Sequence, residues 1–151
     1  MIISANGNIY ECNAAGVLAL YAPFVTGSAN DLLAVVSAHP LADAATAALE
    51  ASAEQLGFGR NRITWVTLAS TDGQLGAREL NSLVEGIDPL AIVATDDAAA
   101  SLLAQAFDSP LQHDAANRAR CRTVVAFSDF AALLADSDSK QRAWHLLKKL
   151  H

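Results

Sequence analysis

The side chains best placed for chemistry are Ser37 and His39, a hydroxyl and an imidazole two residues apart, and the acidic pair Asp96 and Asp97. An imidazole with one or two carboxylates can hold a divalent ion, and an imidazole oriented by a carboxylate can act as a general base. The same residues have a plainer use, because an aspartate just before a helix caps it and a loop histidine can satisfy a carbonyl. Other signals are thinner. Ser128 and Asp129 have no histidine at triad spacing, and Gly57-Phe58-Gly59 lacks the surrounding glycines of a phosphate loop. Trp65 and Trp144 fall in apolar patterns that suit a core, while His113 and His151 sit in a loop and at the end of the chain and are assigned no role. Two cysteines, Cys12 and Cys121, are too few for a disulfide framework or a four-thiolate centre, so no cofactor is expected.

These residues need elements to position them. Asp31 to Leu41 reads as a buried strand running into a turn, with Leu32, Leu33, Val35 and Val36 forming the continuous apolar run of a strand covered on both faces. In such folds ligands sit where strands run out, here at Ser37, Ala38 and His39. The chain before it is harder to read. Ala5-Asn6-Gly7-Asn8 signals a turn, so Ile2-Ile3 and Asn8 to Glu11 suit a hairpin, and Asn13 would cap a short helix ending before Pro23. Residues 1–30 are thus expected to be an extension packed on a single domain of residues 31–151.

After Pro40 a helix is expected from Leu41 to Leu56, closed by Gly57, and then a strand over Arg62 to Leu68 and a Ser70 to Gly73 loop. A helix from Leu75 to Val84 ends near Gly86, and Asp88-Pro89 turns into a strand over Leu90 to Ala94. Thr95-Asp96-Asp97 caps a helix from Ala98 to Phe107. Residues 108–117 read as a polar loop, with Arg118 and Arg120 leading into a strand from Arg122 to Phe127. Ser128 or Asp129 then opens a helix through Leu134, and Asp136-Ser137-Asp138 breaks and re-caps it before Ser139 to Leu150. Four strand-helix alternations with right-handed crossovers predict a three-layer αβα domain around a four-stranded parallel sheet.

Composition narrows the partners. The chain has 151 residues, 52% of them hydrophobic, enough for one core. No apolar run nears the roughly 20 residues a bilayer span needs, and Met1 to Asn30 has no Lys or Arg, so neither a membrane span nor a secretory signal is read and a cytoplasmic location is expected. The net charge of -6 conceals a gradient, with ten Lys and Arg in all and seven of them after residue 117. Arg118, Arg120 and Arg122 with the last helix form the one basic strip that could meet a nucleic acid or an acidic protein, although Lys140, Arg142, Lys148 and Lys149 also suit a solvated helix face.

From Leu32 to Leu150 the chain resembles a shortened member of the uracil-DNA glycosylase-like superfamily. The best-matching pieces are Gly57 to Leu68, Ile87 to Phe107 and Val124 to Leu150, the last carrying Leu133-Leu134, Asp136, Lys140, Ala143-Trp144 and Leu147 where small bacterial members have a Leu-Leu pair, an acidic or proline turn, a Lys and an Ala-Trp-x-x-Leu helix. The resemblance implies strand order 2-1-3-4, which would place Ser37 and His39 beside Thr95, Asp96 and Asp97. It also implies that the chemistry is gone. The water-activating acid would fall on Ala38, the Asn that reads the uracil edge on Thr67, and the His that stabilises the departing base on Asp129, whose charge would oppose it. The loop whose Phe stacks on the base falls in the stretch between Pro40 and Gly57, which is shorter here. The expectation is a non-catalytic glycosylase-like domain with an accessory or binding role. The alternative is a small-molecule or metal-dependent enzyme using the crevice of His39, Asp96 and Asp97.

Overall fold

The structure is a computed structural model and describes residues 16, 18–27, 31–71 and 73–150. Its centre is a sheet of β1 (Val25–Thr26), β2 (Leu33–Ser37), β3 (Ile63–Thr67), β6 (Ala91–Ala94), β7 (Ala115–Ala119) and β8 (Arg122–Ala126), in the order β1-β3-β2-β6-β8-β7. The four inner strands are parallel, and β1 and β7 close the two edges antiparallel. The sheet is therefore six-stranded and mixed, where a four-stranded parallel sheet was expected. Its inner strands follow the order 2-1-3-4.

The pleat sorts the core into two halves, as alternating side chains must. Ala34, Val36, Val66, Ile92, Ala94, Val124 and Ala126 face one way, onto α2 (Ala77–Ile87) and α3 (Asp97–Phe107). Leu33, Val35, Ile63, Val93, Val125 and Phe127 face the other way, onto α1 (Asp43–Gln55), α4 (Ser137–Leu147) and Phe130, whose ring meets Phe127 edge-on at 5.1 Å. Both faces are covered, so the strand interiors are mostly apolar, with Thr64 of β3 a buried polar exception that donates to Asp31. Leu18, Tyr21, Phe24 and Val25 pack on the α2 and α3 side. The hairpin expected over residues 2–11 and the cap at Asn13 lie outside the described residues.

Several boundaries move for readable reasons. Leu32 and Leu90, expected inside strands, are 50% and 60% exposed, because they precede the ladder and pair only through backbone, Leu90 N–H donating to the Leu32 carbonyl. Helix α2 continues past Gly86 to Ile87 and stops at Asp88, whose φ of 54° is the left-handed end of a helix. The Ser70 to Gly73 loop is the tip of a small hairpin, β4 (Ala69–Ser70) with β5 (Gly73–Gln74). At the other edge Gly27, φ 111°, lets β1 lie close on β3, since a Cβ there would sit 2.6 Å from the Ile63 carbonyl oxygen.

The largest correction concerns residues 108–122. The end of the expected polar loop, from Ala115, belongs to strand β7, joined to β8 by Arg120-Cys121, both with positive φ (52° and 63°). That is the backbone of a two-residue hairpin turn, usually flagged by Asn-Gly or Asp-Gly. After β8 a 3₁₀ turn, Ala131–Leu134, replaces the expected helix, and Asp136 caps α4 by accepting from Ser139 N–H at 2.8 Å.

Candidate functional site at the strand carboxyl ends

In a parallel sheet with this order the natural crevice opens between β2 and β6, where successive crossovers leave in opposite directions. Here one side chain fills it. Asp96, half-buried at the start of α3, accepts from Ala99 N–H through Oδ1 at 2.8 Å, and from Ala38 N–H at 3.0 Å and Thr95 Oγ1 at 3.3 Å through Oδ2. One carboxylate thus caps a helix and ties the end of β2 to the end of β6. Backbone bonds finish the closure, from Thr95 N–H to the Val36 carbonyl and from Phe130 N–H to the Thr95 carbonyl.

The expected polar set is consequently dispersed. His39 is exposed. Asp97 pairs instead with His113, Oδ1 to Nδ1 at 2.5 Å, a histidine to which the sequence assigned nothing. Among the described residues no three His, Cys, Asp or Glu side chains are grouped to hold a metal ion. Of the positions marked by the resemblance, Ala38 is spent on the Asp96 bond, Asp129 is exposed and accepts from Ala132 N–H, and Thr67 lines a cleft that Ala38 and Asp129 do not.

The basic strip also changes character. Arg122, its side chain 7% exposed, donates to the Pro89 and Arg120 carbonyls, to Asp88 at 2.7 Å and to Glu85 at 3.5 Å. It is a buried clasp between β8 and the end of α2. Arg120 donates to the Phe107 carbonyl and Arg118 to Thr123 Oγ1, so each guanidinium in the strip has a partner within the fold.

An open cleft of about 660 Å³ lies one strand over, at the ends of β2 and β3. Register explains its lining. Ser37 pairs beside Thr67, and Thr26 opposite Trp65, so the pleat sends all four side chains to the face that α1 covers. Pro40 and Leu41 lead into α1, Thr46 sits in its first turn, and the β4 hairpin adds Ser70 and Thr71 at the rim. Hydroxyls and one half-buried indole dominate the wall, and its described lining includes no carboxylate, imidazole, amine or thiol. Ser37 is 5% exposed, and its Oγ has no hydrogen-bond partner among the described residues. Sequence reasoning named Ser37 and Thr67 singly; only the β2–β3 register shows them to be neighbours.

A second, smaller cleft of about 450 Å³ lies between α4 and the 113–114 corner, lined by Asp114, Leu133, Arg142, His145 and Leu146. Two of its polar groups are already engaged, Asp114 by Ser128 N–H and Oγ, and Arg142 by Ser139 Oγ. Near it the Asp136 carboxyl is held below its ordinary range, by the Ser139 N–H first and then by the Ser139 hydroxyl. No helix among the described residues is long and apolar enough to cross a membrane. No known protein family model matches the chain, and no curated protein matches it significantly.

Proposed function

We propose that this is a glycosylase-like α/β domain that binds a small planar ligand in the Ser37, Trp65 and Thr67 cleft and performs no chemistry on it. The observation that carries the reading is the composition of that cleft. Its size is that of small-molecule sites, and it offers hydroxyls for orientation and an indole for contact. A catalytic role would need an acid, a base or an activated nucleophile, and the described lining places no imidazole, amine or carboxylate beside Ser37 or Thr67. The positions from the resemblance agree, with Ala38 and Thr67 standing where hydrolysis would need an acid and an amide.

The metal-dependent alternative has less support, because Asp96 already accepts from three donors and Asp97 is paired to His113 rather than His39. A nucleic-acid role through Arg118, Arg120 and Arg122 is weakened by the partners each already has. The test is thermal melting against free bases, small aromatic compounds, divalent metals and short oligonucleotides. A ligand at about 100 times its Kd adds roughly 2.7 kcal/mol, or on the order of 5 to 10 °C here. The expected result is a shift with a small aromatic compound, abolished by Trp65→Ala. A shift with zinc or manganese lost on His39→Ala, or uracil release from an oligonucleotide, would overturn the reading.

A further inference from the structure

Helix α1 has thirteen residues and begins at the cleft, with Leu41 before it and Thr46 in its first turn both in the wall. Its first N–H groups precede the first intrahelical bond, Thr46 N–H to the Ala42 carbonyl at 3.0 Å, and the residue at the cap position is Ala42, which has no side-chain acceptor. Ala42 nevertheless holds the extended backbone of a capping residue, φ -63° and ψ 156°. A helix start of this kind favours negative charge. Independently, Ser37 lies in the same wall, 95% covered and with no hydrogen-bond partner among the described residues. Ser37 thus stands in the strand-side wall, and Leu41 and Thr46, which flank the first turn of α1 in sequence, stand in the helix-side wall.

We propose, resting on the reading of a binding cleft, that the ligand is a planar compound bearing one carboxylate, seated on the first turn of α1 beside Ser37 with its ring against Trp65. Charge selects the carboxylate. A helix start supplies roughly half a positive charge, and no Lys or Arg lines the cleft or occurs before Arg60. Asp43, exposed in the same turn, subtracts from that field. A single, delocalised negative charge can be balanced by N–H and O–H donors alone, whereas a phosphate dianion would find no counter-charge.

The test compares benzoate, benzamide and phenyl phosphate on the full chain by calorimetry and tryptophan fluorescence. Benzoate should bind roughly five- to thirtyfold more tightly than benzamide, and phenyl phosphate more weakly than benzoate. Ser37→Ala should weaken benzoate about tenfold and leave benzamide unchanged. Because loss of binding could follow from damage to the fold, Ala42→Asp is the decisive variant. It gives the helix its own carboxylate, so it should raise the melting temperature and at the same time abolish benzoate binding. Equal binding of benzoate and benzamide, or benzoate binding that survives in a stabilised Ala42→Asp protein, overturns the carboxylate assignment while leaving the cleft reading intact. Binding of none of the three overturns both.

Discussion

At the carboxyl end of the sheet the crevice between β2 and β6 and the cleft between β2 and β3 share a strand, yet one is closed and the other open. In the first, Asp96 takes up donors from Ala38, Thr95 and Ala99 and ties the two strand ends together. In the second, Ser37 and Thr67 stand side by side, and Ser37 has no partner among the described residues. Topology nominates the switch point between β2 and β6. Hydrogen-bond accounting moves the candidate site by one strand. The bonded Asp96 carboxylate builds the fold, and the Ser37 hydroxyl in the cleft wall is left to meet water or a ligand.

The most forceful way to break this comparison is to open the closed crevice. Asp96→Ala removes the α3 cap and strands the Ala38 N–H, so it should cost roughly 3 kcal/mol, a fall of about 6 to 12 °C in Tm. Asp96→Asn should fall between, since its amide keeps an acceptor for the cap but turns a donor toward the other N–H. If Asp96→Ala melts within a degree of the parent, the tie across the crevice is not holding β2 to β6.

What could be read from the chain and what could not follows the same division between local and distant partners. Caps were legible: Asp96 and Asp136 each stand one position before a helix and accept from the N–H three residues on, as their spacing implies. The apolar runs of β2, β6 and β8 marked the parallel core. Strand β7 was hidden because Ala-Ala-Asn-Arg-Ala has no β-branched or aromatic residue and its turn is Arg-Cys in place of a glycine pair. Arg122 looked like part of a charged strip because its partners Asp88 and Glu85 lie 34 and 37 residues away. His113 was passed over for the same reason, since only the unread β7 hairpin returns it to the start of α3. The cleft itself is a register property. Thr26, Ser37, Trp65 and Thr67 share no motif, and the ladder that aligns them cannot be seen in any one segment.

Two smaller perturbations sharpen the contrast. Supplying α1 with the cap it lacks, Ala42→Asp, should raise stability by about 1 kcal/mol, or 2 to 4 °C in Tm. Smaller still is the effect at Asp136, which caps α4 as Asp96 caps α3 but makes no bond across the sheet. Its carboxyl is held below the ordinary range by the Ser139 N–H, so the charged form is favoured by folding. The stability it adds is therefore present above the unfolded carboxylate pKa of about 3.9 and is lost as pH falls through the lower folded value. Asp136→Asn should flatten the acid limb of a Tm-against-pH curve, and the two proteins should converge at the most acid point. Parallel curves would mean that the Ser139 contacts do not depend on the charge.

The smallest expected effect is the most informative one. Ser37→Ala deletes a hydroxyl that lines the open cleft and makes no hydrogen bond among the described residues, so folding has no interaction to lose. Stability should change by less than about 0.5 kcal/mol, in either direction. A loss above roughly 1 kcal/mol would mean that Ser37 has a structural partner, and the open cleft would then be built like the closed crevice. A neutral substitution that nevertheless removes carboxylate binding would separate the two regions cleanly, because Asp96 would be a residue the fold cannot spare and Ser37 one that only a ligand would miss.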